Sequence, residues 1–511
     1  MSKTTLSIIT SMLLSAAMAM PAQAAQPRHA TGRGALPHYV LFDVGSFGGG
    51  AGQFCYLACR EINKHGDSVG IDATSLADPF DPICFYDCHV DHSFLWKNGG
   101  TNDIGSLQYG LSSFATSVND KDWASGISQN GAIDPDTGVF EGRGVVWKGG
   151  KAHDVGTLGG TQSEAGNINN AGETPVVSSN SDTSDPFVNV AQANCLWLPT
   201  TGGGCRQNDC GTNALFLPVT TATHVAKWAP GSGLNDLGTL GGPDSAGLDI
   251  NAAGQIVGWS YTSYTAGPSG VPDTHPFLWE NGTITDLGTL GGTFGAAIMV
   301  NNTGVVTGAA NLAGDTAVHP FLWDKANGLR DLGTLGGTYA HPDWLNENGD
   351  VVGFSRTADH QSRGFYWHNG VMTDLGTLGD DPASEATGLN NHGVIVGLTF
   401  NPGVEDLRGF VSDQGSQIVD LNTLVRKSHG LHIIAADAIN DRGIITASAV
   451  TKNGELHPVI LVPENELDML AKMNAAMRDV PRPDNAKRNI PVARPNCHAP
   501  RRMRPHFCIG G

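Results

Sequence analysis

The sequence predicts an all-β chain: a β-propeller of about eight four-stranded blades, closed by its N-terminal strand. Three observations predict it. An Asp-x-Gly-Thr-Leu phrase recurs about every 45 residues, and an Asn-x-x-Gly turn recurs between short apolar runs. Glycine supplies 68 of 511 residues without a period of three, while charged residues make up only 15%, the balance expected of many short strands joined by tight turns. With 40% hydrophobic residues, ten Trp and eighteen Phe, wholesale disorder is excluded. The length exceeds what one core usually serves, so repeats or several domains are required.

The chain begins with a secretory pattern: Lys3, an apolar run from Leu6 to Met20, and Ala22-Gln23-Ala24 as a cleavage site. Cleavage is expected after Ala24, followed by a linker over 25–36, placing the protein in the periplasm or outside the cell. No later stretch reaches eighteen apolar residues, so no transmembrane helix is expected.

The repeat occupies 37–463. Its Asp-Gly phrase starts at Asp43, Asp103, Asp154, Asp236, Asp286, Asp331, Asp374 and Asp420. The turn follows Ile62, Ile168, Ile250, Val300, Leu345, Leu389 and Ile439, with VNDKD at Val118 a degraded copy. An aromatic strand ends at Trp96, Trp147, Trp279, Trp323 and Trp367. Each unit therefore reads strand, Asn-x-x-Gly turn, strand, variable loop, aromatic strand, tight turn and final strand. Glycine allows the positive φ angles that such hairpins need.

Closure follows from counting. The last unit stops after His457–Val462 without its final strand, while the chain opens with Tyr39–Gly45, a lone final strand. Joining them removes two open edges and gives eight blades. Seven blades, with the Val118 unit as a loop, is the nearest alternative, and a linear β-solenoid is the third.

Nine cysteines would meet an oxidising compartment: Cys55, Cys59, Cys84, Cys88, Cys195, Cys205, Cys210, Cys497 and Cys508. Disulfides are expected in preference to metal ligation, with one thiol left over. If Cys55 and Cys59 precede the first strand of blade 1, they meet Cys84 and Cys88 in its second loop. Two cross-links between these pairs are expected, worth about 3 kcal/mol each.

These phrases, with the triplets His92-Ser93-Phe94, His275-Pro276-Phe277 and His319-Pro320-Phe321, resemble the HAF repeats of bacterial extracellular proteins. The resemblance implies export and propeller-like repeats, and no general catalytic set.

Repeated residues read as structural. The Trp should pack between blades, the repeated Asp should cap backbone amides, and the repeated His should hydrogen-bond at strand entry. No metal site is expected; calcium on the Asp repeats is the one cofactor left open, against one carboxylate per blade being too widely spaced. Nucleotide and hydrolase motifs are missing from the sequence. Insertions near 72–91 and 184–223 are better functional candidates. Trp197, in the second, and Tyr261 and Tyr264, in a further loop, are the ligand-binding candidates. Residues 464–511 form a Pro/Arg-rich tail opening on a short amphipathic helix, with nine Lys or Arg against five Asp or Glu. That tail could meet the acidic body or an anionic surface, whereas an acidic body disfavours nucleic acid.

The function expected is a non-enzymatic scaffold binding an extracellular carbohydrate or protein through inserted loops. The alternatives are a propeller enzyme, a glycan lyase or hydrolase, and a structural envelope protein. Clustered His, Tyr and carboxylate groups at one channel mouth would favour the enzyme.

Overall fold

The computed structural model describes residues 36–55, 59–79, 89–108, 111–187, 221–401, 406–466 and 471. The signal-like segment, the insertion from 188 to 220, Cys84, Cys88, Cys195, Trp197, Cys205, Cys210, and the tail with Cys497 and Cys508 lie outside them.

Seven four-stranded antiparallel blades follow in order: 48–103, 113–154, 159–238, 245–286, 291–331, 336–374 and 383–420. The eighth combines His432–Ile439, Ile445–Val450 and Leu456–Pro463 with Tyr39–Asp43. Tyr39 pairs with Pro463 and Asp43 with Val459, antiparallel and without a register shift. The fold is thus an eight-bladed β-propeller in which the first strand of the chain completes the last blade. The degraded unit at Val118 is a full blade: Asp122 stands at φ 59° where other copies have Gly, such as Gly254 at φ 77°. Aspartate is among the few residues that enter this left-handed region readily.

The asparagines of the eight turns form a closed ring. Each side chain donates from Nδ2 to the backbone oxygen of the asparagine one blade on: Asn63 to Asn119 at 3.1 Å, Asn119 to Asn169 at 2.9 Å, Asn169 to Asn251 at 3.1 Å. The series continues from Asn251 to Asn301 at 2.9 Å, Asn301 to Asn346 at 3.1 Å, and Asn346 to Asn390 at 3.2 Å. It closes with Asn390 to Asn440 at 3.0 Å and Asn440 to Asn63 at 3.0 Å. Each Oδ1 meanwhile accepts amides of its own turn, as Asn251 does from Ala253 and Gln255. All eight are buried, so asparagine is demanded as simultaneous donor and acceptor.

The aromatic strand packs each blade on the one before. Trp96 lies against Phe42, Ile444 and Val462 of blade 8, and Trp147 against Val69 and Ile104 of blade 1. Burying such a ring removes about 200 Å² from water, worth up to about 5 kcal/mol.

A second seam device explains why the residue after the repeated His varies. At four seams where that residue has an amide, the next blade supplies a serine: Ser93 N donates to Ser113 Oγ, Gly144 N to Ser163, Val225 N to Ser245 and Gly364 N to Ser384. At the seam of Gly409 the equivalent place is Ile434. Where it is Pro276, Pro320 or Pro458, there is no amide to satisfy. The serine position then holds Gly295, Ala340 or Gly52. A Cβ on Gly295 would stand 2.9 Å from Pro276 Cδ, and one on Gly52 2.9 Å from Pro458 Cδ.

One cysteine expectation is corrected. Cys55 is bonded to Cys59, with Cα atoms 5.9 Å apart, within the range a disulfide spans. The first strand of blade 1 is Gly48–Gln53, so both cysteines follow it and close an excursion on the way to the Asn63 turn. They are therefore not available to pair with Cys84 and Cys88.

Candidate functional site

Strand order gives the disc two unlike faces. On one lie the asparagine turns and the tight turns between third and fourth strands. On the other lie the Asp-Gly connectors and every loop between second and third strands. The strand ends that bound the longest of those connections, 78–88, 185–220 and 262–273, therefore share one face.

The repeated polar residues on that loop face partner each other. His275 Nδ1 lies 2.8 Å from Asp286, His319 2.8 Å from Asp331, His92 2.8 Å from Asp103, His224 3.0 Å from Asp236 and His457 3.1 Å from Asp43. Arg143 takes the His place opposite Asp154 at 3.3 Å. The hydrogen bond that His224 donates to Asp236 holds its imidazole above its usual range. Each Asp also accepts the amide two residues on, as Asp286 does from Gly288. Among the described residues no group of three or more His, Cys, Asp or Glu is arranged to hold a metal ion.

The aromatic candidates separate. Tyr264 is 60% exposed on the loop face. Tyr261 is corrected to a core residue: it is 2% exposed and packs edge-on to Phe187 at 6.0 Å and to Trp259 at 5.6 Å. It ends the second strand of blade 4, and its ring meets Phe187, which follows the second strand of blade 3. Trp197 lies outside the described residues.

The axis carries groups that sequence reasoning missed. First strands bulge at Thr116, Leu248, Ile298, Asp343, Thr387 and Asp437, each three residues before the ring asparagine. Arg60 has that place in blade 1. Its Nη2 donates to Asp249 Oδ2 at 2.8 Å and to Val300 O at 3.1 Å, while its amide donates to Asn167 Oδ1 at 3.0 Å. One residue of blade 1 therefore reaches blades 3, 4 and 5, crossing the axis. Asp249 is wholly buried and also accepts Asn167 Nδ2 and Val300 N.

Opposite this spoke lies an acidic arc. Asp343 and Glu385 share a hydrogen bond across the seam of blades 6 and 7, and His341 Nδ1 lies 2.8 Å from Asp343 Oδ1. Tyr339 and His341 both lie against Phe354, with ring centroids 5.6 and 6.0 Å away. At the seam of blades 8 and 1, Glu61 accepts Thr446 Oγ1 at 2.6 Å and Asp437 accepts Ser448 Oγ at 3.0 Å. Burial pushes Asp343 and Glu61 well above the usual carboxyl range and Asp437 up to about 8, and it pushes His341 down to about 4. The signal was legible: Arg or Asp stands three places before the turn asparagine where other copies have Leu, Ile, Thr or Gly.

No family model and no curated protein matches the chain. Among solved structures it is similar to TolB from Acinetobacter baumannii, at 11% identity over 78% of this chain and 79% of that one, TM-score 0.33. It is also similar to the β-propeller domain of the Trilobed protease from Pyrococcus furiosus, at 10% identity over 72% and 96%, TM-score 0.39. Trypanosoma rangeli sialidase shares 13% identity over 68% and 60%, TM-score 0.27. At these scores the likenesses say nothing about activity; the propeller stands on its own strand pairing.

Proposed function

We infer that the protein is a non-catalytic propeller scaffold, acting outside the cytoplasm, that binds a carbohydrate or protein partner through its loop face. The observation that supports this reading is the sidedness of the disc. The long connections at 78–88, 185–220 and 262–273 all leave and rejoin one face of the disc, while the other face is tied down by the asparagine ring. Binding residues concentrate on variable loops held by a rigid scaffold. Tyr264 is the described aromatic that such a surface exposes.

A glycan-cleaving enzyme is the second reading, favoured by the grouping of Tyr339, His341, Asp343 and Glu385. Two features weigh against it. Asp343 and Glu385 are in hydrogen-bonding contact, whereas glycosidase pairs stand about 5 to 9.5 Å apart. Asp343 is also 1% exposed. The test is a panel of polysaccharides and envelope components incubated with residues 25–511, with and without Tyr264→Ala, reading retention and products together. Retention without product, weakened by the substitution, supports the scaffold; depolymerised product overturns it.

A further inference from the structure

The last described segment of the chain leaves blade 8 on the asparagine face, beside the point where the compact unit begins at Leu36. There a groove of about 190 Å³ opens between blades 7 and 8, its apolar wall made by Leu36, Pro37, Val394 and Pro463 and its polar rim by His392 and Arg442. Arg442 holds Glu466 through Nη2 at 2.5 Å and Nε at 3.2 Å, and Arg426 holds Glu464 at 3.1 Å. The chain is thus pinned at the groove's edge just before Leu467.

Beyond this anchor the sequence has the pattern of an amphipathic helix: Leu467, Leu470, Met473 and Met477 recur at helical spacing, with Lys472 and Arg478 between and after them. A helix this short is marginal in water by itself and needs a surface on which to bury its apolar stripe. We propose that residues 467–477 dock as an amphipathic helix in the groove between blades 7 and 8, anchored by Leu467 and Leu470. Two observations select this occupant over another molecule. The groove adjoins the anchored Glu466, so the segment meets it at the high effective concentration of a short tether. The groove is also small, suited to a pair of anchoring side chains rather than to a partner's broad interface.

Hydrogen exchange on residues 25–511 tests this. The amides of 467–477 are expected to exchange at least tenfold more slowly than in the isolated peptide, independently of protein concentration. Leu467→Asp with Leu470→Asp, outside every blade, should return them to peptide rates without moving the propeller's melting temperature. Leu36→Asp, on the groove wall, should do the same from the other side. Peptide-like exchange in the unaltered chain would overturn the proposal. So would protection that survives both tail substitutions, or protection that appears only as concentration rises and therefore belongs to a second copy.

Discussion

Asn440 donates its side-chain amide to the backbone oxygen of Asn63 at 3.0 Å, joining residues 377 apart in sequence and closing the ring of eight. The link separates two roles that one residue type performs. Oδ1 serves the local turn, and Nδ2 serves the neighbouring blade.

Asn251→Asp keeps an oxygen for the turn amides of Ala253 and Gln255 but replaces the donor to Asn301 with an acceptor. Unfolding in urea should show a loss of about 2 kcal/mol, the cost of leaving a buried carbonyl opposite a like partner. An unchanged midpoint would remove the ring from the list of stabilising features.

Arg60→Met leaves Asp249 buried with its two amide donors and no cation. A loss of about 3 kcal/mol is expected, largely recovered when Asp249→Asn is added. Additive losses in this double-mutant cycle would show that the two side chains do not depend on each other.

The serine–proline alternation yields a sharper cycle. Pro276→Ala alone creates an amide with no acceptor, and Gly295→Ser alone drives Cβ against Pro276 Cδ. Each should cost about 1–3 kcal/mol. Together they rebuild the arrangement of Val225 and Ser245, so the double variant should be more stable than either single one.

The axis should make stability fall with rising pH. Asp437 sits at about 8 in the folded chain against an unfolded value of about 3.9, so the folded state holds the extra proton between them. Its contribution is complete below about pH 4 and lost as pH rises through about 8. Asp437→Asn cannot ionise and should exceed the parent in stability by about 1–2 kcal/mol at pH 8.5, with little gain at pH 5. Thermal melts at the two pH values check the sign.

Most of the architecture was legible because the repeat writes each blade in the same words. Asn-x-x-Gly, Asp-x-Gly and Phe-Leu-Trp each mark one structural task, and a lone Asp-Gly strand at Tyr39 announced where the ring closes. The Cys55–Cys59 bond was misread because an extra stretch of chain inside blade 1 shifted its apparent first strand. Tyr261 was misread because its neighbours Gly and Pro suggested a loop, whereas it is the last residue of a strand. The contacts of Arg60, Asp343 and Glu385 stayed hidden for a different reason. The place of Arg60 and Asp343, three residues before the turn asparagine, was written in the repeat. The partners they reach in other blades were not, because spacing along the chain does not say which side chains meet at the axis.

The strand Tyr39–Asp43 has a consequence for the order in which the molecule is made. It leaves the ribosome ahead of every blade, yet its partner Leu456–Pro463 is synthesised more than 400 residues later. Until then the nascent protein carries an unclaimed strand at one end and an unfinished sheet at the other, both able to accept a stranger. Only a chain translated through its final blade can hide both edges.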